Sequence, residues 1–282
     1  MFPEDLVAPT RGGLLRRPPG EISLWIPWLD DCGFPRCPSA ADPEATSPVR
    51  PPASRDFFPP PPTPTAHTHR FLMQTLTAAD IANMEKLARV QFATSLPGAK
   101  PISLIGTTDA SGQDNLAPFS SILHLGSSPC LLGMLSRPDS VERHSLANLT
   151  ALGAWTINHL HPDILDAAHQ CSARYPKDVS EFAATGLTPY QHPGFPAPFV
   201  KESRFRIGME LEEIVPIAAN GTRLIIGRVV LVQVAQGCLM DHGGIDLVGL
   251  ECLASTALDT YFHLKPLARL AYAQADVLPR RI

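Results

Sequence analysis

The pattern of hydrophobic and polar positions divides the chain near residue 72. Before that point no helical or strand periodicity develops, because 16 of the 30 prolines fall within residues 1–72. Proline fixes φ and lacks a backbone N–H donor, so such a segment cannot build the interior of a helix or a sheet. We therefore expect a proline-rich, disordered N-terminal extension over residues 1–72. Met73, where regular patterning begins, is an alternative start of the protein.

The first regular pattern after Met73 is helical. Thr77 and Asp80 have the spacing of a capping box, and apolar residues then recur at helical intervals over residues 81–92. This pattern predicts one amphipathic helix that ends before Pro97.

Strand-like patterns dominate the rest of the chain. Asn220-Gly221 is a strong hairpin signal and predicts that the flanking runs, 204–217 and 223–234, pair antiparallel. Further strands are predicted at residues 101–108, 115–125, 130–136, 155–160 and 266–272, and helices at 140–152, 162–173 and 250–262. The balance predicts a mainly β, antiparallel, barrel-like fold with peripheral α-helices over residues 73–282.

Charge and composition exclude several classes of protein. A net charge of −4 and a pI near 6.2 provide no basic field for nucleic-acid phosphates or anionic lipid. The six cysteines are scattered singly without a CxxC pair, and no apolar run reaches the roughly 18 residues of a membrane helix. We expect a cytoplasmic protein with no nucleic-acid and no membrane partner.

The sequence also lacks the common catalytic signatures. It has no GxGxxG, no GxxxxGK, no GxSxG and no HExxH, so a Rossmann dehydrogenase, a nucleotide triphosphatase, an α/β hydrolase and a zincin are unsupported. His159, His161 and His169 are spaced closely enough for a metal site, but apart from Asp163 and Cys171 no nearby carboxylate or thiol completes the set, and we assign no metal.

One stretch carries a distinctive motif. Residues 106–121 end in Asn-Leu-Ala-Pro-Phe-Ser-Ser, and are followed by a helix pattern, Arg-His-Ser-Leu-Ala-Asn-Leu at 143–149, and a strand pattern, Trp-Thr-Ile-Asn at 155–158. This order of motifs resembles the flavin reductase-like family of FMN-binding split barrels. The resemblance spans nearly all of residues 73–282, and it implies an FMN-binding split β-barrel, antiparallel and Greek-key-like, with peripheral helices.

The residue chemistry agrees with this resemblance. A flat isoalloxazine ring needs an apolar slot and accessible backbone groups, which Ala117, Pro118 and Phe119 can supply. The FMN phosphate needs hydroxyl and amide donors and a cation near a helix N-terminus. The remaining candidates for contact with the cofactor are Asn115, Ser120, Ser121, Arg143, Ser145 and Asn148.

The helix motif departs from the family pattern. The family usually has Lys or Arg followed by Asp and Thr, whereas Arg143, His144 and Ser145 stand here. Arg137 lies a few residues upstream and is an alternative partner for the phosphate. The cation is therefore either Arg143 or Arg137.

The resemblance implies hydride transfer from NADH or NADPH to FMN in a homodimer. It also implies that the reduced flavin serves a partner oxygenase or another electron acceptor. Two alternatives remain open: a flavoprotein that uses bound FMN to reduce a different acceptor, and a non-catalytic FMN-binding or electron-carrier protein.

Overall fold

The computed structural model describes residues 73–138, 144–176, 178–257 and 259–282. The prediction for residues 1–72 and the candidate Arg143 lie outside the described residues.

A seven-stranded antiparallel sheet forms the centre of the described chain. Its strands lie in the order β3-β2-β6-β9-β10-β5-β4. Their bounds are β2 Ser103–Thr108, β3 Asp114–Phe119, β4 Ile122–Ser127, β5 Cys130–Ser136, β6 Ala154–His159, β9 Phe205–Ile217 and β10 Thr222–Val234. The mainly β, split-barrel prediction is confirmed.

The β9–β10 hairpin follows from its turn sequence. Gly221 has a φ of +73°, a conformation that glycine adopts without strain, and Thr222 pairs with Ile217 directly beyond the turn. The pairing of these two long strands is as predicted.

The predicted strand over residues 115–125 is wrong as a single element. The chain leaves β3 at Phe119 and begins β4 at Ile122, and these two strands occupy opposite ends of the sheet order. The two serines between them therefore carry the chain from one edge of the sheet to the other. Alternation of residue types cannot reveal this change of partner strand, because both halves are extended.

The predicted helix over residues 81–92 is divided into two. A capping box of Thr77 and Asp80 starts α1, Ala78–Asn83, as expected. Met84 then leaves the helical region with a ψ of 145°, and the Glu85 side chain accepts the Leu87 and Ala88 N–H groups to start α2, Lys86–Ser95. A second helix N-cap inside the apolar repeat thus interrupts it.

The other helices lie at the margins of the sheet. They are α3 His144–Leu152, a 3₁₀ turn at Pro162–Ile164 that leads into α4 Leu165–Gln170, and α5 Glu181–Thr185. A short pair of strands, β7 Pro189–Tyr190 and β8 Phe199–Val200, follows α5.

The predicted helix over residues 250–262 is also wrong. The chain there forms β11 Leu253–Thr256 and β12 Thr260–His263, and β11 also pairs with β1, Lys100–Pro101. Pairing with a strand about 150 residues earlier satisfies the backbone of this apolar run, and the local pattern contains no sign of it. The expected last strand at 266–272 is reduced to an isolated bridge between Leu270 and Arg281.

The strands β2, β3 and β6 present two covered faces. We call the face that bears Ile105, Thr107, Asn115 and Ile157 the helix face, because α3 packs on it through Leu146 and Leu149. We call the opposite face, which bears Leu104, Gly106, Thr156 and Asn158, the loop face, because residues 188–200 lie over it. A separate hydrophobic cluster, which includes Leu104, Leu116, Phe182 and Val200, continues the loop face under α4 and α5.

Candidate functional site

A buried polar cluster joins the start of α3 to the helix face. The Asn115 side-chain amide donates to Ser145 Oγ at 3.0 Å, and the Asn148 amide donates to Thr107 Oγ1 at 3.3 Å. Thr107 also lies 3.5 Å from the Asn115 amide nitrogen and directly opposite Asn115 in the β2–β3 register. All four residues are buried. The hydrogen bonds fix the first turn of α3 against β3.

The candidates of β3 continue from this cluster along one strand. Asn115 and Ala117 lie two residues apart and so face the same side of the sheet, as does Phe119, which packs partly against the core. Ala117, Pro118 and Phe119 are half-buried. This strand thus joins the buried polar cluster to a partly accessible apolar path.

The two serines after β3 differ in what they contact. Ser121 Oγ donates to the Leu135 carbonyl at 3.0 Å and accepts the Leu135 N–H at 3.2 Å. It therefore holds the start of β4 against β5. Ser120 is half-buried beside it.

Of the two candidate cations, Arg137 and Arg143, the described residues include only Arg137. Arg137 is exposed directly after the end of β5.

The structure brings together three of the candidates, Asn115, Ser145 and Asn148. The others, Ala117 to Ser121, follow one another along β3 and the two residues after it.

The cavity beside the polar cluster is small. It has a volume of about 20 Å³ and lies between the β2–β3 turn, the first residue of α3 and Val179. A space of this size holds a water molecule, whereas ligand pockets are usually about 300–1,000 Å³. Beyond this cavity, the residues of β3 from Ala117 to Phe119 are half-buried.

Two ionisable side chains near the sheet are affected by burial. Burial raises the pKa of Asp114, while hydrogen bonds from Thr108 and Gln191 act in the opposite direction. On the helix face of β6, burial lowers the pKa of His159 to about 4, and its ring stacks on Phe205 with centroids 4.4 Å apart. Asp114 can accept protons more readily than an ordinary aspartate, whereas His159 is neutral at physiological pH.

Two residues that complete this region were not identified from the sequence. Thr107 lies in the mostly apolar strand β2. A polar residue at a position of this strand that faces the interior is the feature of the sequence that could have identified it. Glu181 accepts the Leu116 N–H on the outer side of β3 at 2.9 Å. It lies 65 residues away along the chain, and no local pattern links the two.

Comparison with known proteins identifies the family of the chain. The model of the flavin reductase like domain matches residues 98–244, a little over half of the chain. The chain belongs to this family. It is accordingly a flavin-linked oxidoreductase by class.

The similar proteins include one close structural relative. A split-barrel protein from Shewanella frigidimarina, provisionally assigned as a flavin reductase, is 44% identical with a TM-score of 0.69, covering 71% of this chain and 100% of its own. An uncharacterized protein of Halalkalibacterium halodurans is 29% identical over 188 residues, 64% of this chain and 90% of that protein.

Nitrilotriacetate monooxygenase component B from Bacillus cereus shares the fold. It is 23% identical with a TM-score of 0.63, covering 71% of this chain and 100% of that protein.

Within the described ranges, none of the helices has the length and apolar character needed to cross a bilayer.

Proposed function

We propose that this protein binds FMN and transfers hydride from NADH or NADPH to it, as a flavin reductase. The observation that carries the proposal is that the family match over residues 98–244 contains every candidate cofactor contact, from Asn115 to Asn148. The 44% identical protein assigned provisionally as a flavin reductase supports the same activity.

The chain's own residues would bind and orient the cofactor. Ala117, Pro118 and Phe119 would contact the flat ring, and Asn115 and Asn148 would hold the strand and helix that border it. Ser120 and Ser145, with Arg137 or Arg143, would hold the phosphate, while Ser121, whose hydroxyl donates to the Leu135 carbonyl, would fix the start of β4 beside it. Bound FMN would supply the hydride-accepting chemistry, so no general acid from the protein is required.

Purification of the full chain tests this function directly. We expect the protein to bind FMN with micromolar or tighter affinity and to oxidise NADH or NADPH when FMN is added. Turnover only with another electron acceptor would identify a flavoprotein that uses bound FMN differently. Binding without turnover would identify a carrier, and failure to bind FMN would reject the proposal.

The phosphate assignment is tested by single substitutions. Replacement of Ser145 by alanine, and of whichever arginine holds the phosphate, should weaken FMN binding roughly tenfold or more, because each removes a charge-assisted hydrogen bond to the phosphate. Arg137→Ala and Arg143→Ala therefore distinguish the two arginines. Arg174→Ala, an exposed arginine between α4 and α5, is the matched control and should bind FMN as the wild type does.

We also propose that the protein is a homodimer whose second copy covers the flavin. The 20 Å³ cavity cannot enclose a flavin, and β10 exposes Val230 and Val232 by 43% and 48%. Sedimentation of the wild type and of Val230→Lys/Val232→Lys should show a dimer that the lysines dissociate. A monomeric wild type would reject the proposed homodimer.

Two further expectations stay predictions: that a partner oxygenase consumes the reduced flavin, and that the protein is cytoplasmic.

A further inference from the structure

The backbone groups on the outer edge of β3 need hydrogen-bond partners that do not come from a neighbouring strand. β3 lies at one end of the sheet order, so among the described residues no strand pairs with the backbone groups that point away from β2. Pro118 has no N–H, which leaves the Leu116 N–H as the outward-pointing donor directly before the proposed ring contact at Ala117. An unpaired buried donor at this position would destabilise the strand.

Glu181 meets this requirement from outside the sheet. Its Oε2 accepts the Leu116 N–H at 2.9 Å, and the residue is only 9% exposed. Its neighbour Phe182 is packed in the same hydrophobic cluster as Leu116, so the first turn of α5 is anchored where the carboxylate is needed. The contact therefore joins the first turn of α5 to the edge strand β3.

The contact lies between the two parts of the candidate site. Leu116 follows Asn115, which bonds to Ser145 at the start of α3, and it precedes Ala117, which belongs to the proposed ring contact. Displacement of the Leu116 peptide would move both. Among the described residues, Glu181 alone accepts this N–H through its side chain.

We infer that Glu181 is a positioning residue for flavin binding: its carboxylate fixes the Leu116 peptide and thereby holds β3 in the form that contacts the cofactor. This inference rests on the proposed function. Glu181 acts through Leu116, so it needs no contact with the flavin itself.

Two substitutions at Glu181 separate the hydrogen bond from simple packing. Glu181→Leu removes the acceptor at similar volume, and Glu181→Gln retains an amide oxygen that can accept the same N–H. We expect Glu181→Leu to raise the Kd for FMN about tenfold, to alter the visible absorption band of bound flavin and to accelerate Leu116 amide exchange about tenfold, since loss of a buried acceptor leaves the donor unpaired. Glu181→Gln should restore all three.

Glu202→Leu is the matched control. The Glu202 carboxylate also accepts a backbone N–H, that of Thr188, at 3.1–3.2 Å, but this bond lies next to the β7–β8 pair and does not involve the backbone of β3. The control should leave FMN affinity, the flavin spectrum and Leu116 exchange unchanged, whatever it does to thermal stability.

Amide exchange in the flavin-free protein keeps the two proposals distinguishable. If the wild-type protein does not bind FMN, the proposed function fails. If the wild type binds FMN and Glu181→Leu binds it with the same affinity, the positioning role is overturned. Unchanged Leu116 exchange in Glu181→Leu, or loss in Glu181→Gln equal to that in Glu181→Leu, would overturn it too. If Glu181→Leu does not fold, Glu181→Gln decides the question through Leu116 exchange and FMN affinity, both of which must stay at wild-type values.

Discussion

The helix face and the loop face of the same strands are stabilised in different ways. On the loop face, Asn158 is fully buried and uses its side chain three times: its amide donates to the Leu104 carbonyl and to Thr156, and its oxygen accepts the Val200 N–H. Thr156 in turn donates to the Pro198 carbonyl at 2.6 Å. These bonds hold Pro198 and Val200 of the covering segment directly against the sheet.

On the helix face the polar contacts are fewer and a small cavity remains beside them. Asn115 makes one good hydrogen bond, to Ser145, and β3 stays half-buried from Ala117 onwards. The two buried amides, which lie on the strands either side of β2, thus differ in their surroundings: Asn158 is enclosed by the covering segment, whereas Asn115 borders the surface that we propose for the ligand.

The largest expected effect is that of Gly106→Ala on the loop face. A β-carbon at this position would lie 2.3 Å from the Pro198 carbonyl oxygen and 2.5 Å from Thr156 Oγ1. Because backbone and a buried hydroxyl cannot move away easily, the free energy of unfolding should fall by at least about 3 kcal/mol. Urea denaturation measures it, and Gly126→Ala, whose nearest contact is at 3.2 Å, should cost clearly less. Equal losses would contradict the close packing of the loop face.

Asn158→Ala should have the next largest effect. It leaves the Val200 N–H and the Leu104 carbonyl without their side-chain partner, which should lower the free energy of unfolding by about 2–3 kcal/mol. FMN affinity of the folded protein should stay at the wild-type value. Gln191→Ala, an exposed residue of the same covering segment, should change stability by less than about 0.5 kcal/mol. A large loss of FMN affinity in Asn158→Ala would end the distinction between the two faces.

His159 should make stability depend on pH. Its pKa of about 4 in the folded state lies below its ordinary value of 6.5, so between these pH values the unfolded chain binds a proton that the folded protein does not. Stability should therefore be unaffected above pH 6.5 and should fall by on the order of 2 kcal/mol as the pH decreases towards 4. Urea denaturation of wild type and His159→Gln between pH 4.5 and 7.5 measures this term, and parallel curves for the two proteins would exclude it.

Asn115→Ala should have the smallest effect on stability. In contrast to Asn158→Ala, it should lower FMN affinity more than it lowers stability. Loss of its hydrogen bond to Ser145 should cost about 1 kcal/mol of folding free energy, because the surrounding groups adjoin a cavity that water can enter. FMN affinity should fall more than it does in Asn158→Ala, which serves as the control. Isothermal titration compares the two, and equal FMN affinities would place the ligand surface elsewhere.

The sequence allowed the prediction of elements that depend on local chemistry. The Asn220-Gly221 turn, the capping box at Thr77 and the strand ending at Ser136 all follow from residues within a few positions of each other. The motif in β3 likewise identified the candidate residues. These features need no knowledge of distant partners.

The errors have a different physical origin. The apolar run beginning at Leu250 forms strands because β11 finds a partner in β1, and the run after Asn115 divides because the sheet has two edges. The hydrogen bonds of Asn115 to Ser145 and of Glu181 to Leu116 span 30 and 65 residues. Contacts of this kind are decided by the folded arrangement, and a single sequence does not display them.

The two-serine link between β3 and β4 has a consequence for the order of assembly. Three pairs, β2–β3, β4–β5 and β9–β10, join strands that follow each other along the chain, whereas the β2–β6, β6–β9 and β5–β10 pairs require long loops to close. Since closing such loops slows folding, we expect the three hairpins to form early and the docking of β5 on β10 to limit the rate. The link is short from the start, yet the edges it connects take their final places only when every intervening strand has been inserted, so the proposed ligand surface is among the last parts of the molecule to become competent.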